Sequence, residues 1–214
     1  MLRRTLTVLS ALCLTFGGVQ CGRGLWIYAK AELAQILLHR AWGQVKAGEE
    51  RARPWPWADA WPVARLQMPD RGVDQIVLSG ASGRNLAFAP GHLHGSAASG
   101  EDGTCVIAGH RDTHFTVLEE IEPGERIVLE RPDGVTTTYR VQATDVVDES
   151  DTYVLADHGG STLVLITCWP FDTPIPGGPL RYVVFAQEDD PDPVPNPSPR
   201  PRPRPRPNCS GSVR

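Results

Sequence analysis

From Val63 to Ala186 the chain alternates between short apolar runs and clusters of turn-forming residues. The clearest run, Leu163 to Ile166, is aliphatic and short enough to form one buried strand. Turn signals such as Pro132-Asp133-Gly134 separate the runs. Many short strands with little helix between them predict a mainly β domain, either a barrel or a sandwich. The predicted strands are Ala64–Met68, Gln75–Leu78, Thr104–Ala108, Arg126–Glu130, Thr136–Val147, Leu163–Thr167 and Arg181–Ala186.

The N-terminus has a different pattern. Thr5 to Gly22 is uncharged and mostly apolar, and Arg3 and Arg4 precede it. A membrane-spanning helix needs about 20 apolar residues, so this run is at the short end of the range. Because positive flanks stay in the cytoplasm, residues 1–24 are predicted to be a single-pass signal anchor in the inner membrane, with the rest of the chain on the periplasmic side. A cleaved signal peptide is the alternative, although no clear cleavage site precedes Cys21.

Residues 25–62 are predicted to form a helical stalk followed by a linker. Trp26, Ala29 and Leu33 recur at helical spacing, and no proline interrupts the pattern before Pro54, so one long helix is expected to leave the membrane. The segment Arg53 to Pro62, RPWPWADAWP, breaks that helix. Its tryptophans either cover the domain or lie at the membrane surface, where Trp is favoured.

The folded domain is expected over residues 63–187, and a tail of different composition over 188–214. In the tail, acidic residues give way to alternating Pro and Arg. Such a segment cannot bury apolar surface, so it is predicted to be extended and disordered, as a spacer or a basic tether. We therefore exclude it, with its Cys209, from the fold.

Charge and cysteine usage exclude several classes of protein. The 214 residues carry a net charge of −4, which argues against a nucleic-acid partner held by phosphate contacts. The five cysteines are scattered and contain no CxxC pair. This pattern fits neither a disulfide framework nor a zinc ribbon.

Three polar residues stand at the ends of predicted strands. Cys168 follows the run Leu163 to Ile166, Arg181 opens the next run, and His110 follows the run from Cys105 to Ala108. A free thiol has a pKa of about 8.5 and needs a neighbouring cation to become a good nucleophile. If these strands are neighbours, the three groups form a site for nucleophilic acyl transfer. Taken singly, each residue has a plainer explanation as packed core, structural histidine or surface charge.

The motifs around these residues resemble the sortase family. The string VLITC, with LR at the start of the next strand, is similar to the sortase signature TLxTC and its downstream Arg, although Val164 stands where the family often has Thr. VIAGHRDTHF resembles the segment with the catalytic His, and LAFAPGHL, at Leu86 to Leu93, resembles a segment that precedes it. HRDTHF and GPLRYVV are most similar to the Gram-negative subgroup. The resemblance covers Val63 to Ala186 and implies an eight-stranded β-barrel with short helical insertions, one of them at Leu86 to Leu93.

The resemblance also implies a reaction. In a sortase-like transpeptidation, Cys168 attacks a peptide carbonyl in an LPxTG-like signal near the C-terminus of a secreted protein, and a thioester forms. His110 protonates the leaving amine, and Arg181 holds the substrate and stabilises the oxyanion. Asp112 is a candidate for orienting His110, and Thr167 for assisting at the oxyanion. The acceptor amine is not identified by the sequence, and the chemistry requires no metal or other cofactor.

Other functions remain open from the residues alone. Water in place of the amine would make the protein a cysteine peptidase of the same fold. His92 with His94, and His110 with His114, have spacings that zinc can use, which permits a zinc hydrolase, although the Glu of HExxH is missing. A third alternative is a non-catalytic binding barrel.

A cluster of acidic residues lies around the end of the predicted strand Thr136–Val147. Some sortases use calcium, and these carboxylates could bind it, but acidic residues on loops are usually just solvated. They are Asp145, Asp148, Glu149 and Asp151.

Overall fold

The computed structural model describes residues 2–173 and 177–189; within residues 2–28 it describes the side chains of residues 13–20, 22 and 26 only. Two helices, α1 (Leu2–Lys46) and α2 (Gly83–Leu86), accompany eight strands. Short 3₁₀ turns occur at Pro69–Arg71, Thr116–Glu120 and Thr152–Leu155. The strands are β1 (Pro62–Met68), β2 (Val73–Ser79), β3 (Gly91–His92), β4 (Gly103–Ala108), β5 (Arg126–Glu130), β6 (Thr136–Asp148), β7 (Ser161–Cys168) and β8 (Leu180–Glu188).

The strands close into a barrel in the order β1-β2-β3-β4-β7-β8-β6-β5. Most neighbours are antiparallel, but β2 pairs with β3 and β4 pairs with β7 in parallel. The predicted mainly β, eight-stranded barrel is confirmed. Each predicted strand is present, while β3 was not predicted because two residues carry no readable hydrophobic pattern.

The run Leu163 to Ile166 within β7 is apolar at every position rather than alternating. Leu163 and Leu165 are fully buried in the interior of the barrel. Val164 and Ile166 point to the opposite face, where they pack with Val183 and with Val154 from the 3₁₀ turn between β6 and β7. Because both faces of the strand are covered here, every position of this run is apolar, and full burial of each such side chain stabilises the fold by about 1.5–3 kcal/mol.

The segment between β2 and β4 differs from the predicted helical insertion at Leu86 to Leu93. The helical turn α2 lies earlier, and the hydroxyl oxygen of Ser82 caps it by accepting from the backbone N–H of Asn85 at 3.3 Å. Gly91 then begins β3 where the chain approaches β2 closely. A Cβ at this position would lie 2.4 Å from the carbonyl oxygen of Gly80, so the approach requires glycine.

Helix α1 packs on the outside of the barrel through its C-terminal part. Leu38 and Trp42 are buried against Ile76 and Leu78 of β2. The helix ends at Lys46, well before Pro54, because the turn that follows places Gly48 at φ 103°, a left-handed conformation that favours glycine. The predicted stalk is therefore shorter than the position of the first proline suggested.

The membrane anchor predicted for residues 1–24 falls largely on residues whose side chains lie outside the described part of the structure. Within the described part, no helix is both long enough and apolar enough to cross a membrane. Where the N-terminal side chains are described, several apolar ones are exposed, namely Leu14, Phe16, Val19 and Trp26. The predicted disordered tail falls almost entirely on residues 190–214, outside the described residues.

Candidate active site

The three candidate side chains lie at one end of three adjacent strands, β4, β7 and β8. In the parallel pair β4–β7, Ala108 lies opposite Ile166, and the backbone N–H of Gly109 donates to the carbonyl of Ile166 at 3.0 Å. His110 therefore follows β4 alongside the end of β7. In the antiparallel pair β7–β8, Cys168 lies directly opposite Arg181.

The same register decides the face on which these groups lie. Side chains alternate along a strand, and Leu163 and Leu165 are interior, so Cys168 belongs to the outer face with Val164 and Ile166. Cys168 is half-buried there. Arg181 shares that face because directly opposed residues do. The backbone positions of Cys168, Arg181 and His110 are thus neighbours at one rim of the barrel.

Thr167 points the other way and joins the two strands. Its side chain is buried, and its hydroxyl donates to the carbonyl of Gly109 at 2.8 Å. Gly109 is itself packed so closely on Phe115 that an added Cβ would lie 2.7 Å from the ring. This contact fixes the backbone that carries His110. The hydroxyl is thus occupied between the strands, and a role for Thr167 at the oxyanion stays a prediction.

The segment after His110 is folded back and attached to the loop after β7. The backbone N–H of Phe115 donates to the carbonyl of His110 at 2.9 Å. Arg111 is buried, and its Nη2 donates to the carbonyl of Thr173 at 3.1 Å. Sequence reasoning gave Arg111 no role, since a charge next to a histidine has no pattern that predicts burial.

Asp112 and His114 belong to the turn that follows His110. Asp112 is exposed, and its carboxylate makes no hydrogen bond within residues 2–173 and 177–189, so its role in orienting His110 stays a prediction. Burial lowers the pKa of His114, and the nearby charge of His110 lowers it further. His114 therefore favours the neutral form.

Arg181 is held by three acceptors. Its Nη1 donates to the carbonyls of Gly178 at 2.7 Å and Leu180 at 2.9 Å, and its Nη2 forms an ion pair with Glu149 at 2.5 Å. Glu149 follows β6 directly. The sequence placed it in a loop of acidic residues, with no sign that it would reach Arg181.

The second cysteine of the domain is unsuited to react. Cys105 lies in β4 and is buried in the barrel interior. Burial raises the pKa of its thiol to about 12, and the neighbouring carboxylate of Glu101 acts in the same direction. Cys105 therefore contributes to the packed core of the barrel.

The first histidine of the zinc-hydrolase alternative has polar contacts with its own loop. The Nε2 atom of His92 lies 2.9 Å from the carbonyl of Ala97 and 3.0 Å from the hydroxyl of Ser96. Among the described residues, no three or more His, Cys, Asp or Glu side chains are grouped so as to hold a metal ion.

Comparison with known proteins adds an independent finding. Residues 66–189 match a family model described as the sortase domain. Sortase D of Bacillus subtilis (strain 168) is 31% identical over 123 residues, which cover 57% of this chain and 61% of that protein. The structure of sortase A from Corynebacterium diphtheriae matches at 30% identity with a TM-score of 0.56, covering 64% of this chain and 65% of that one.

A third match extends the likeness of fold. The structure of a Clostridium perfringens sortase D5 transpeptidase has a TM-score of 0.59 at 22% identity and covers 74% of this chain and 99% of that one. The chain spans less than two-thirds of the length of the first two relatives. These relatives come from Gram-positive bacteria, so they give no support to the Gram-negative subgroup.

Proposed function

Because the chain belongs to the sortase family, we propose that it is a cysteine transpeptidase that acts on an LPxTG-like sorting signal of a secreted protein. The observation that carries the proposal is the strand register, which sets Cys168 opposite Arg181 and brings His110 alongside. Their thiol, imidazole and guanidinium can serve as the nucleophile, the general acid–base and the oxyanion donor in acyl transfer through a thioester.

Each group has a defined task in the proposed reaction. The Cys168 thiolate forms a bond to the carbonyl carbon of the scissile peptide, and the C–N bond breaks as the leaving amine takes a proton from His110. The incoming amine then attacks the thioester carbonyl, gives its proton to His110, and releases the Cys168 thiolate. Arg181 donates hydrogen bonds to the substrate oxygen while negative charge develops on it.

The test uses the full chain with a fluorescent peptide containing Leu-Pro-Glu-Thr-Gly, with and without triglycine as the amine. Mass spectrometry should find a thioester on Cys168 and a ligated product when triglycine is present. Cys168→Ala should abolish the adduct, and His110→Ala should slow turnover by about 10²–10⁴-fold, which is the usual contribution of a general acid–base.

Each remaining outcome has a clear meaning. Hydrolysis alone, at any triglycine concentration, would make the protein a peptidase rather than a ligase. No adduct, or equal adducts on Cys168 and Cys105, would overturn the assignment of the nucleophile. A chelator should leave the rate unchanged, and loss of activity on metal removal would revive the metal-dependent alternative.

We also propose that residues 1–24 anchor the protein in the inner membrane with the catalytic domain on the periplasmic side. The uncharged run Thr5 to Gly22 behind Arg3 and Arg4 supports this, and so does the exposure of Leu14 and Phe16. Extraction of membranes with alkaline carbonate should leave the full chain in the pellet and release a chain lacking residues 1–24. Full release of both chains would exclude the anchor.

The subgroup is part of the same proposal. The segments HRDTHF and GPLRYVV support a Gram-negative sortase, whose natural partner would be a secreted protein of the same cell with the signal near its C-terminus. A search for such a partner by trapping the thioester on Cys168 in the source cell would test this directly.

A further inference from the structure

We infer that Glu149 is a positioning residue for Arg181, fixing the guanidinium so that its remaining N–H donors meet the substrate oxygen above Cys168. The inference rests on the proposed transpeptidase function and names a residue that the sortase resemblance did not supply.

Glu149 is itself fixed by the barrel. At the end of β6, Val147 lies opposite Arg181 and Asp148 opposite Leu180. The pairing continues one residue beyond the strand, since the backbone N–H of Glu149 donates to the carbonyl of Pro179 at 2.6 Å. The backbone of Glu149 is therefore hydrogen-bonded to the same segment that carries Arg181.

The guanidinium is held at two of its three nitrogens. Nη1 donates to two backbone carbonyls of the Gly178–Leu180 segment, and Nη2 contacts Glu149 at 2.5 Å. A guanidinium has five N–H donors, so two have no partner within the described residues and are available to a ligand. The two carbonyls contact Nη1 alone, which leaves Glu149 as the group that limits rotation of the Nη2 end.

The order of the strands determines the side from which Glu149 approaches the Arg181 guanidinium. Arg181 lies on β8, between Cys168 on β7 and Glu149 beyond β6. Glu149 thus binds the guanidinium from the side away from the nucleophile. The side that faces Cys168 is left to the substrate, so the carboxylate orients the cation without occupying the place of the oxyanion.

Fixing the side chain beforehand affects the rate. An arginine side chain has many rotamers, and if Arg181 had to be ordered during the reaction, the lost entropy would raise the activation barrier of acylation. The side chain of Arg181 is only 25% exposed and that of Glu149 is 55% exposed, so water competes with the ion pair mainly at the carboxylate. A modest change in rate is therefore expected when Glu149 is removed, rather than complete loss.

The experiment measures formation of the Cys168 thioester by single-turnover kinetics on the full chain with the Leu-Pro-Glu-Thr-Gly peptide. Glu149→Ala should lower the acylation rate constant about tenfold with little change in peptide affinity, because the contact acts on Arg181 in the transition state. Glu149→Gln keeps an acceptor oxygen and should lose about two- to fivefold. Melting temperatures close to that of the wild type would show that folding is not the cause.

Two further variants separate positioning from a general effect on the protein. Asp74→Ala removes the carboxylate that Arg65 contacts at 2.5 Å on strands β1 and β2, and it should leave acylation unchanged. In an Arg181→Lys background the remaining activity should fall less than twofold when Glu149→Ala is added, since lysine lacks the planar guanidinium that Glu149 is proposed to orient.

Several results would overturn the inference while leaving the transpeptidase intact. The first is acylation by Glu149→Ala at the wild-type rate. The second is faster acylation by this variant, which would mean that the carboxylate restrains Arg181. The third is that Glu149→Ala lowers the acylation rate by the same factor in the Arg181→Lys background as in the wild type. If Glu149→Ala fails to fold, wild-type acylation by Glu149→Gln decides against the inference. A wild-type chain that forms no thioester overturns the proposed function itself.

Discussion

The hydrogen bond between Thr167 and Gly109 offers a quantitative test of how the site is held together. Thr167→Val keeps the size and shape of the side chain but removes its hydroxyl. The bond is 2.8 Å long and buried, and its loss leaves the Gly109 carbonyl without its Thr167 donor. Loss of a buried hydrogen bond with one partner left behind costs about 1–3 kcal/mol.

The measurement is urea unfolding of the full chain followed by tryptophan fluorescence, together with thermal unfolding. For a domain of about 125 residues, a loss of 2 kcal/mol corresponds to a decrease of about 8 °C in the melting temperature. Because Gly109 immediately precedes His110, the acylation rate should also fall, by about tenfold, as the imidazole loses its fixed position.

Thr167→Ser is the matched control. It retains the hydroxyl and removes one methyl group, so it should lose about 0.5–1.5 kcal/mol of stability through the small cavity while acylation stays close to the wild-type rate. If Thr167→Val is as stable and as active as the wild type, the bond to Gly109 does not hold the site. If Thr167→Ser loses as much activity as Thr167→Val, packing rather than the hydroxyl is responsible.

Two other predictions follow from the pKa shifts. With a pKa of about 12, the ionised fraction of the Cys105 thiol at pH 8 is about 10⁻⁴, whereas that of an ordinary thiol is about 0.2. Iodoacetamide should therefore modify Cys168 in the folded chain and reach Cys105 only in denaturant. Equal rates of modification of the two thiols in the folded chain would contradict this. The side-chain bond from Arg71 lowers the pKa of Glu125 below its unfolded value of about 4.3, so the stabilisation is present above that pH and is lost as pH falls through the lower folded value. Glu125→Gln should be about 1 kcal/mol less stable than the wild type at pH 7 in urea titrations, and the gap should close as the pH falls below about 4.3. A gap independent of pH would refute the pair's contribution.

The strands of the barrel were largely predictable because most are buried on at least one face. Arg126–Glu130 forms β5 as predicted, and the run Leu163 to Ile166 lies within β7. By contrast, β3 has two residues whose pairing depends on Gly80 and Gly91 approaching each other, which no hydrophobic pattern records. The parallel neighbours β4 and β7 are also set by closure of the whole barrel rather than by either strand alone.

The residues of the candidate site were predictable from the sequence, but the hydrogen bonds and the ion pair that hold them in place were not. Cys168, His110 and Arg181 stand at strand ends, where apolar runs stop and polar groups become visible in the sequence. Their supports depend on pairing between distant segments. Thr167 reaches Gly109 only through the β4–β7 register, and Glu149 reaches Arg181 only through the β6–β8 register.

The parallel pairing of β4 with β7 has a consequence for how the protein acquires reactivity. The bond from Thr167 to Gly109 spans 58 positions of the chain, so forming it requires closure of a long loop. Contacts of this kind form slowly and at high contact order. Until β4 and β7 have paired, the imidazole of His110 and the thiol of Cys168 are not held together, so the unfolded chain carries a cysteine without its histidine partner.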